Sequence, residues 1–441
     1  MEATVSVESV PADVSYPRWS VLTRIGFRFC FAYFLLFCLS NQIISSVLLI
    51  PMVYVPGFGT LPPIRAVVFW VGAHLFRMNL PLVYTGSGSG DKRYDWVLVF
   101  CLLVIAAVAT VLWSVLDHRR NDYRKLHKWF LLFLRICLGG QMLVYGFIKF
   151  FPLQMPYPNL ARLVEHFGDF SPMGVLWSFV GASPAYETVV GCAELLGGVL
   201  LMFPRTVTLG ALVCLADMAQ IFLLNMTYDV PVKLLSLHLI MVSLLLLGPE
   251  MDRLTNFFLL NKPVEPSSPA PLFSCRRAQR ITAGVIAFLW IWLAANNAWN
   301  TWRSWQRFGP GAAQKSPLYG IWDIEDYTLE GKPQPLLVTN AQEWRGIVFD
   351  YPKYAEVQLM DDSRGFDVAL NQQTHTVTLS PRGTKGWQAR FSYTRPAFDR
   401  LTLDGTMGTQ HASFHLRRVD EKKFMLETRG FHWVQDYPFG R

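Results

Sequence analysis

The apolar residues of this chain are concentrated in blocks of about twenty, which are separated by shorter polar segments. A helix of about 20 apolar residues crosses the roughly 30 Å hydrocarbon core of a bilayer. The pattern therefore predicts seven membrane-spanning helices. They cover residues 25–50, 96–116, 129–151, 186–203, 206–225, 231–248 and 281–299.

A shorter apolar block covers residues 63–78 and contains Arg65, His74 and Arg77. Its length and its charges favour an interfacial or re-entrant helix, although a span stays open as an alternative.

After residue 317 the period of the pattern changes to strict alternation, as in HTVTLS and QARFSYT, with turn sequences such as PRGTKG between the runs. Short alternating runs at regular spacing are typical of a β-meander that closes into a barrel or sandwich. The predicted strands are 319–327, 344–350, 355–361, 366–370, 374–380, 387–394, 400–406, 411–419 and 424–431.

The predicted fold class is thus a polytopic α-helical membrane bundle followed by a C-terminal all-β meander or barrel. The domains are a cytoplasmic N-terminal segment, two transmembrane helices with an interfacial helix, a four-helix membrane module, a linker with the seventh helix, and an extracytoplasmic β-domain. Their boundaries are 1–24, 25–127, 128–260, 261–316 and 317–441.

Charge is scarce and unevenly distributed. Only 16% of residues are charged and 52% are hydrophobic, with a net charge of +8. Residues 315–441 contain 16 basic and 16 acidic residues, so the positive net charge belongs to the helical part of the chain. There it favours contact with lipid headgroups over nucleic-acid binding. Basic residues concentrate in loops 117–128 and 249–280, which predicts a bacterial-type cell membrane protein with a cytoplasmic N-terminus and an extracytoplasmic C-terminal domain.

The seven cysteines form no CxxC motif, and the nine histidines form no HExxH motif. These spacings predict neither a disulfide framework, nor a thioredoxin-like dithiol, nor a dedicated metal site. We expect most of the cysteines to be small core side chains.

Ionisable residues inside the predicted spans carry the chemical hypothesis, because such groups are costly in a bilayer unless they are shielded. Glu194, Asp217 and His238 lie near the middle of their helices, and Arg135 lies about two turns into its own. We expect a polar pocket in which Glu194 or Asp217 carries a proton, His238 relays it and Arg135 is the counter-ion. The alternative is a structural network that joins the helices.

Further polar residues are candidates for substrate binding. Gln141, Tyr145 and Lys149 follow at intervals of four and so share one helix face. In the turn after 225, Tyr228, Asp229 and Lys233 would lie at the pocket entrance, with Asp229 paired to Lys149 or to Lys233. An ordinary helix-end ion pair is the alternative.

Residues 128–254 resemble the DoxX family of small integral membrane proteins. The likeness rests on four stretches: LRICLGGQMLVYGFIKF at 134–150, GCAELLGGVLLMFPRT at 191–206, LGALVCLADMAQIFLLN at 209–225 and YDVPVKLLSLHLIMVSLLLLGPEMDRL at 228–254. The resemblance implies a four-helix membrane module. Members of the family include subunits of quinone-linked sulfur oxidoreductases and partners of redox-stress enzymes. The polar positions that match the family motif are Arg135, Lys149 and Glu194. The additional helices and the β-domain depart from the family.

The β-domain opens with Gly320-Ile321-Trp322, similar to the GxW of lipocalin-like barrels, in which the Trp plugs one end. A barrel of about eight strands can hold one small apolar ligand; the alternative is a filled barrel that docks on the membrane domain.

Three functions follow as hypotheses. The first is a quinone- or redox-linked membrane component, with a quinone as the possible cofactor. The second is a transporter or lipid-handling protein that uses the outer β-domain for a lipophilic small molecule. The third is a non-catalytic scaffold that recruits an extracytoplasmic protein.

Overall fold

The computed structural model describes residues 18–48, 55–78, 89–266, 272–309, 312, 314–336, 340, 343–383 and 386–439. Most of the predicted segment 1–24 and part of the predicted linker, 267–271, lie outside these residues. The chain divides into two compact units, the first formed by residues 1–147 and 192–299 and the second by residues 148–191 and 300–441.

The helices confirm the predicted class of membrane bundle. They are α1 (Val21–Ser40), α2 (Gln42–Val47), α3 (Pro62–His74), α4 (Arg93–Leu116), α5 (Arg124–Phe150), α6 (Leu160–Val164), α7 (Pro172–Gly181), α8 (Pro184–Met202), α9 (Val207–Thr227), α10 (Lys233–Leu247), α11 (Met251–Phe258), α12 (Arg276–Phe308) and α13 (Met425–Thr428). Seven segments in the described part are long and apolar enough to cross a membrane: α1, α4, α5, α8, α9, α10 continued by α11, and α12. The chain is therefore a multi-pass membrane protein that contacts the bilayer.

The first span is shorter than predicted, because its helix ends at Ser40 instead of residue 50. Asn41 adopts an extended backbone, and its side chain accepts a hydrogen bond from the Ile43 amide, which begins α2. Asn is a favoured N-cap residue since its side-chain oxygen satisfies an amide that has no helical partner. The predicted single helix is thus a helix followed by a short second one.

Two apolar helices are too short to cross. The helix α3 has 13 residues and α7 has 10, which correspond to about 20 Å and 15 Å of helix at 1.5 Å per residue. Residues 63–78 are therefore not a span in this structure.

One end of the first unit is held together by a buried cation. Arg28 in α1 donates hydrogen bonds to the Tyr123 hydroxyl at 2.7 Å, to Ser114 at 2.8 Å and to the Asp117 carbonyl at 2.9 Å. Nearby, the Trp19 amide donates to the Asn121 carbonyl. The start of α1 therefore lies on the same side of the bundle as the basic loop between α4 and α5.

The second unit contains a closed antiparallel barrel. Its strands are β1 (Gly320–Leu329), β2 (Lys332–Gln334), β3 (Trp344–Tyr351), β4 (Tyr354–Leu359), β5 (Ser363–Asn371), β6 (Thr376–Pro381), β7 (Ala389–Ala397), β8 (Arg400–Met407) and β9 (Gln410–Arg418). Consecutive strands from β3 to β9 pair as a meander, and β1 pairs with both β3 and β9, so eight strands close the barrel while β2 extends β1 as a hairpin. Closure removes the exposed sheet edges at which aggregation starts.

One predicted strand is wrong and one was missed. Residues 424–431 contain α13 where we expected a ninth run of alternation, and this segment follows the last barrel strand. The short β2 contains Lys332, Pro333 and Gln334, which lack the apolar alternation from which strands are recognised.

The barrel interior is filled by side chains. Trp322 is fully buried, and its indole Nε1 donates to the Leu318 carbonyl at 2.8 Å. The rings of Tyr327 and Trp344 each stack on Phe414, with centroids 5.4 Å and 5.6 Å apart. Aromatic packing of this kind favours a solid core over a ligand chamber in the described part of the barrel.

The segment between α5 and α8 packs on the barrel. Residues of α6 contact β1 and β3, and the buried Asp350 carboxylate accepts a hydrogen bond from the Leu160 amide at 3.0 Å. Burial raises the pKa of Asp350, against the opposing effects of that hydrogen bond and of Lys315. Four membrane spans lie between this segment and the barrel in the sequence. An even number of crossings returns the chain to the same side of the membrane, which is consistent with the contact between α6 and the barrel.

Candidate functional site

Small residues bring the helices of the first unit close together around Glu194. A Cβ atom at Gly197 would lie 2.8 Å from the Cys214 sulfur, and one at Gly146 would lie 2.8 Å from the Leu195 Cγ. Neither glycine could gain a side chain without a shift of its neighbours. Glu194 is consequently only 1% exposed between α5, α8 and α9.

A polar cluster formed by Gln42, Gln141, Tyr145 and Glu194 begins at this buried acid and ends at Gln42, which is exposed. The Gln42 amide donates to the Tyr145 hydroxyl at 2.7 Å and to the Gln141 Oε1 at 3.4 Å. The Glu194 carboxylate interacts electrostatically with Tyr145. Gln42 was not predicted as a site residue. It follows the helix break at Asn41, which the continuous apolar run of residues 25–50 does not reveal.

Glu194 shares a neighbour, Cys214, with a second carboxylate, that of Asp217. Both Glu194 and Asp217 interact electrostatically with the Cys214 side chain, which is fully buried. The two predicted acids of the pocket are therefore in the same region of the bundle.

A cavity of about 190 Å³ adjoins the polar cluster at Gln42. It lies where α1 ends and where α4 and α10 begin. Its lining combines apolar side chains with a few polar ones, the usual composition of small-molecule sites. The lining includes Phe37, Ser40, Gln42, Lys92, Tyr94 and Leu98.

The structure places His238, the predicted proton relay, against α1. The His238 Nε2 atom is 2.6 Å from the Tyr33 hydroxyl, and its ring stacks on Phe37 with centroids 3.6 Å apart. These described contacts join α10 to α1 and not to the helices that hold Glu194. The hydrophobic periodicity of the sequence places His238 in a helix, but it does not show which neighbouring helix the side chain faces.

The structure places Arg135, the predicted counter-ion, at the C-terminal end of α8. Its guanidinium donates to the Leu201 carbonyl and to the Met202 carbonyl, the latter at 2.6 Å, at the C-terminal end of α8. The last carbonyls of a helix lack helical partners and carry a partial negative charge, so a cation is favoured there. Glu194 is seven residues earlier, about 10 Å along the helix.

Lys149 belongs to the second unit, where it interacts electrostatically with Glu187. Glu187 is fully buried, and its Oε1 accepts hydrogen bonds from the amides of Gln154 and Met155, both at 3.0 Å. Glu187 fixes the chain that leaves α5. Glu187 was not predicted as a site residue, because acidic residues are favoured in the first turn of any helix.

The turn between α9 and α10 contains the Asp229–Lys233 pair. Their charged atoms are 2.9 Å apart, with the Asp229 side chain 83% exposed, and Tyr228 is the C-cap residue that follows α9. The Asp91 carboxylate, which the sequence analysis did not select, accepts from the amides of Lys233 and Leu234 at 2.7 Å and 2.9 Å. This arrangement fits a helix-end ion pair and an N-terminal cap.

Comparison with known proteins adds little to this geometry. No family model matches the chain, and no solved structure matches it. A curated protein, the uncharacterized protein YwoB of Bacillus subtilis (strain 168), is 29% identical over 133 residues, which are 28% of this chain and 79% of that protein. Its name gives no activity, and the resemblance to DoxX stays a prediction.

Proposed function

We propose that this chain is a quinone-linked membrane component, in which the cavity beside Gln42 holds the quinone ring and the polar cluster manages its protons. The observation that carries the proposal is the buried Glu194, linked through Tyr145 to Gln42 at the edge of a cavity. A buried acid is costly, so its connection through Tyr145 to a residue that lines a cavity supports a functional role.

The chemistry of a quinone suits this lining. The ring is flat and apolar, which matches Phe37 and Leu98, and its two oxygens accept hydrogen bonds in the oxidised state. Gln42 can donate to one of them. Reduction to the quinol adds two electrons and two protons. Glu194 can supply one of these protons and water the other, and a partner oxidoreductase supplies the electrons.

The proposal includes a location. The basic loops 117–128 and 249–280 favour the cytoplasmic side of a bacterial-type cell membrane for the start of α1, and the barrel then lies on the opposite, extracytoplasmic side. The contact of Trp19 with Asn121 supports a common side for the N-terminus and the first of these loops.

A scaffold role for the barrel is the second candidate, favoured by one observation. The segment after β9 exposes several large aromatic side chains, a feature of surfaces that bind partners. They are Phe431, Trp433 and Tyr437. The filled interior supports this role for the barrel better than the carriage of a lipophilic ligand.

The test is quinone binding by the purified full-length protein. Bound quinone is extracted and quantified by mass spectrometry, and a short-chain benzoquinone is titrated while tryptophan fluorescence is recorded. We expect saturable binding that Glu194→Gln weakens at least fivefold. Glu165→Gln, which alters a half-buried ion pair with Arg162 in the other compact unit, is the control and should bind like the wild type. Absence of binding, or an unchanged Kd in Glu194→Gln, would contradict the proposal.

A further inference from the structure

The cavity beside Gln42 has an aromatic wall that is backed by a histidine. Phe37 lines the cavity, and its ring stacks on the His238 imidazole with the centroids 3.6 Å apart and the planes 8° from parallel. His238 lies behind this wall and is only 3% exposed. The imidazole covers one face of the Phe37 ring, which leaves the opposite face or the edge for a molecule in the cavity.

Two hydrogen bonds fix the plane of the His238 ring. The Nδ1 atom is 2.6 Å from the Leu234 carbonyl oxygen, which can only accept, so this nitrogen carries the hydrogen. In the neutral ring the Nε2 atom is then the acceptor, and the Tyr33 hydroxyl donates to it at 2.6 Å. A ring held at both nitrogens rotates only when one of these bonds breaks, so Phe37 packs on a rigid support.

The same histidine connects two walls of the cavity. Phe37 is a lining residue on α1, and Leu234, whose carbonyl accepts from Nδ1, is a lining residue on α10. Tyr33 is on α1 one helical turn before Phe37. A buried imidazole inside a span is costly, and an aliphatic side chain would fill the space without that cost. What the imidazole adds is a flat, oriented surface behind the Phe37 ring.

We propose that His238 is a positioning residue that, through Phe37, makes the cavity selective for a flat, unsaturated ring. This inference rests on the proposed function and assigns part of the binding to the π-system of the quinone. Flat rings stack or meet edge to face, and such pairs contribute beyond their buried area. A saturated ring is puckered and has no π-system, so it makes neither contact even when it carries the same two carbonyl oxygens.

The experiment compares two ligands of the purified full-length protein. One is a fully substituted short-chain benzoquinone, and the other is the cyclohexane-1,4-dione with the same substituents. Fluorescence titration gives the Kd of each, and the ratio of the two is the ring selectivity. We expect the wild type to bind the benzoquinone more tightly. His238→Ala should weaken benzoquinone binding about fivefold, because the support of Phe37 is lost, and should change dione binding less than twofold.

Three further variants make the test independent of a folding defect in His238→Ala. Tyr33→Phe removes only the hydroxyl that holds Nε2, and Phe37→Leu removes the stacking ring, so each should lower the ring selectivity. Ser243→Ala is the matched control and should keep the wild-type ratio. Ser243 is also a buried polar residue on α10, and its hydroxyl donates to the carbonyl four residues earlier, that of Leu239, at 2.9 Å.

The outcomes separate this inference from the proposed function. An equal loss of affinity for both ligands in His238→Ala would give the histidine a purely structural role and overturn the inference. An unchanged ratio in Tyr33→Phe and Phe37→Leu would overturn it too, as would a wild type that binds both ligands equally. In each of these cases the wild type still binds the benzoquinone, so the proposed function stands. A wild type that binds no benzoquinone would overturn both.

Discussion

The side-chain amide of Gln42 donates a hydrogen bond to the Tyr145 hydroxyl at 2.7 Å. This bond connects the residue at the cavity edge to the interior that contains Glu194. The sequence places the two residues 103 positions apart, so their contact is a property of the folded bundle alone.

Loss of this bond should weaken quinone binding. Gln42→Leu removes the donor at the cavity edge and leaves the Tyr145 hydroxyl without that partner, which typically costs about 1–1.5 kcal/mol, or up to roughly tenfold in Kd. Fluorescence titration of the purified protein measures it. Gln220→Leu, an exposed position on α9, is the control. Equal affinities of both variants and the wild type would contradict the assignment of Gln42.

The second prediction concerns the close packing around Glu194. Gly197→Ala introduces a Cβ atom 2.8 Å from the Cys214 sulfur and should lower the free energy of unfolding by about 1–3 kcal/mol. Thermal unfolding in detergent measures the loss. Gly284→Ala, where nothing lies within 4 Å of the new atom, should be neutral or stabilising. Combining Gly197→Ala with Cys214→Ala should recover part of the lost free energy of unfolding. An unchanged free energy of unfolding in Gly197→Ala alone would contradict the close packing.

Much of the fold follows from two periods in the sequence. Blocks of twenty apolar residues give the spans, and alternation gives eight of the nine strands, because both reflect which face of an element is buried. The break at Asn41 was not predicted, since a single capping residue does not interrupt an apolar run. The strand expected at 424–431 was wrong, because eight strands already close the barrel before it.

The site was predicted less well than the fold. Burial of Glu194 was foreseeable from its place in an apolar helix. The partners of His238 and Arg135 were not, because each contacts residues more than 60 positions away or on an unexpected helix. Asp91 was missed for the same reason, since the sequence alone does not record which segments are neighbours. Glu187 was missed because an acid is ordinary in the first turn of a helix.

Arg135 provides a third prediction. Arg135→Met removes two charge-assisted hydrogen bonds from the last carbonyls of α8, each worth about 1.5–3 kcal/mol, so that helix end should open more often. Hydrogen exchange measured by mass spectrometry should accelerate in peptides covering 199–206. The Kd for quinone should change less than twofold. A large loss of quinone binding with unchanged exchange would instead support the counter-ion role.

Asp350 provides a prediction about pH. Burial raises the pKa of this carboxyl above its ordinary 3.8, so the folded state binds the proton more tightly than the unfolded state. Its contribution to stability is therefore absent at neutral pH and grows as the pH falls through the folded pKa towards 3.8. Asp350→Asn should remove this pH dependence and keep an acceptor for the Leu160 amide.

The measurement is hydrogen exchange of peptides around Leu160 between neutral and acidic pH. Wild type should gain protection relative to Asp350→Asn as the pH falls, after correction for the intrinsic exchange rate. Asp350→Ala, which has no acceptor, should be less protected than both at every pH. A constant difference between wild type and Asp350→Asn would contradict the raised pKa.

The central claim is that the cavity beside Gln42 is the quinone site. A cryo-electron microscopy map of the full-length protein in nanodiscs containing a benzoquinone tests it most directly. We expect density for the ring in that cavity, with one oxygen within hydrogen-bond distance of the Gln42 amide, and loss of this density in Gln42→Leu. Ring density elsewhere in the bundle, or a cavity filled by the same lipid with and without quinone, would contradict it.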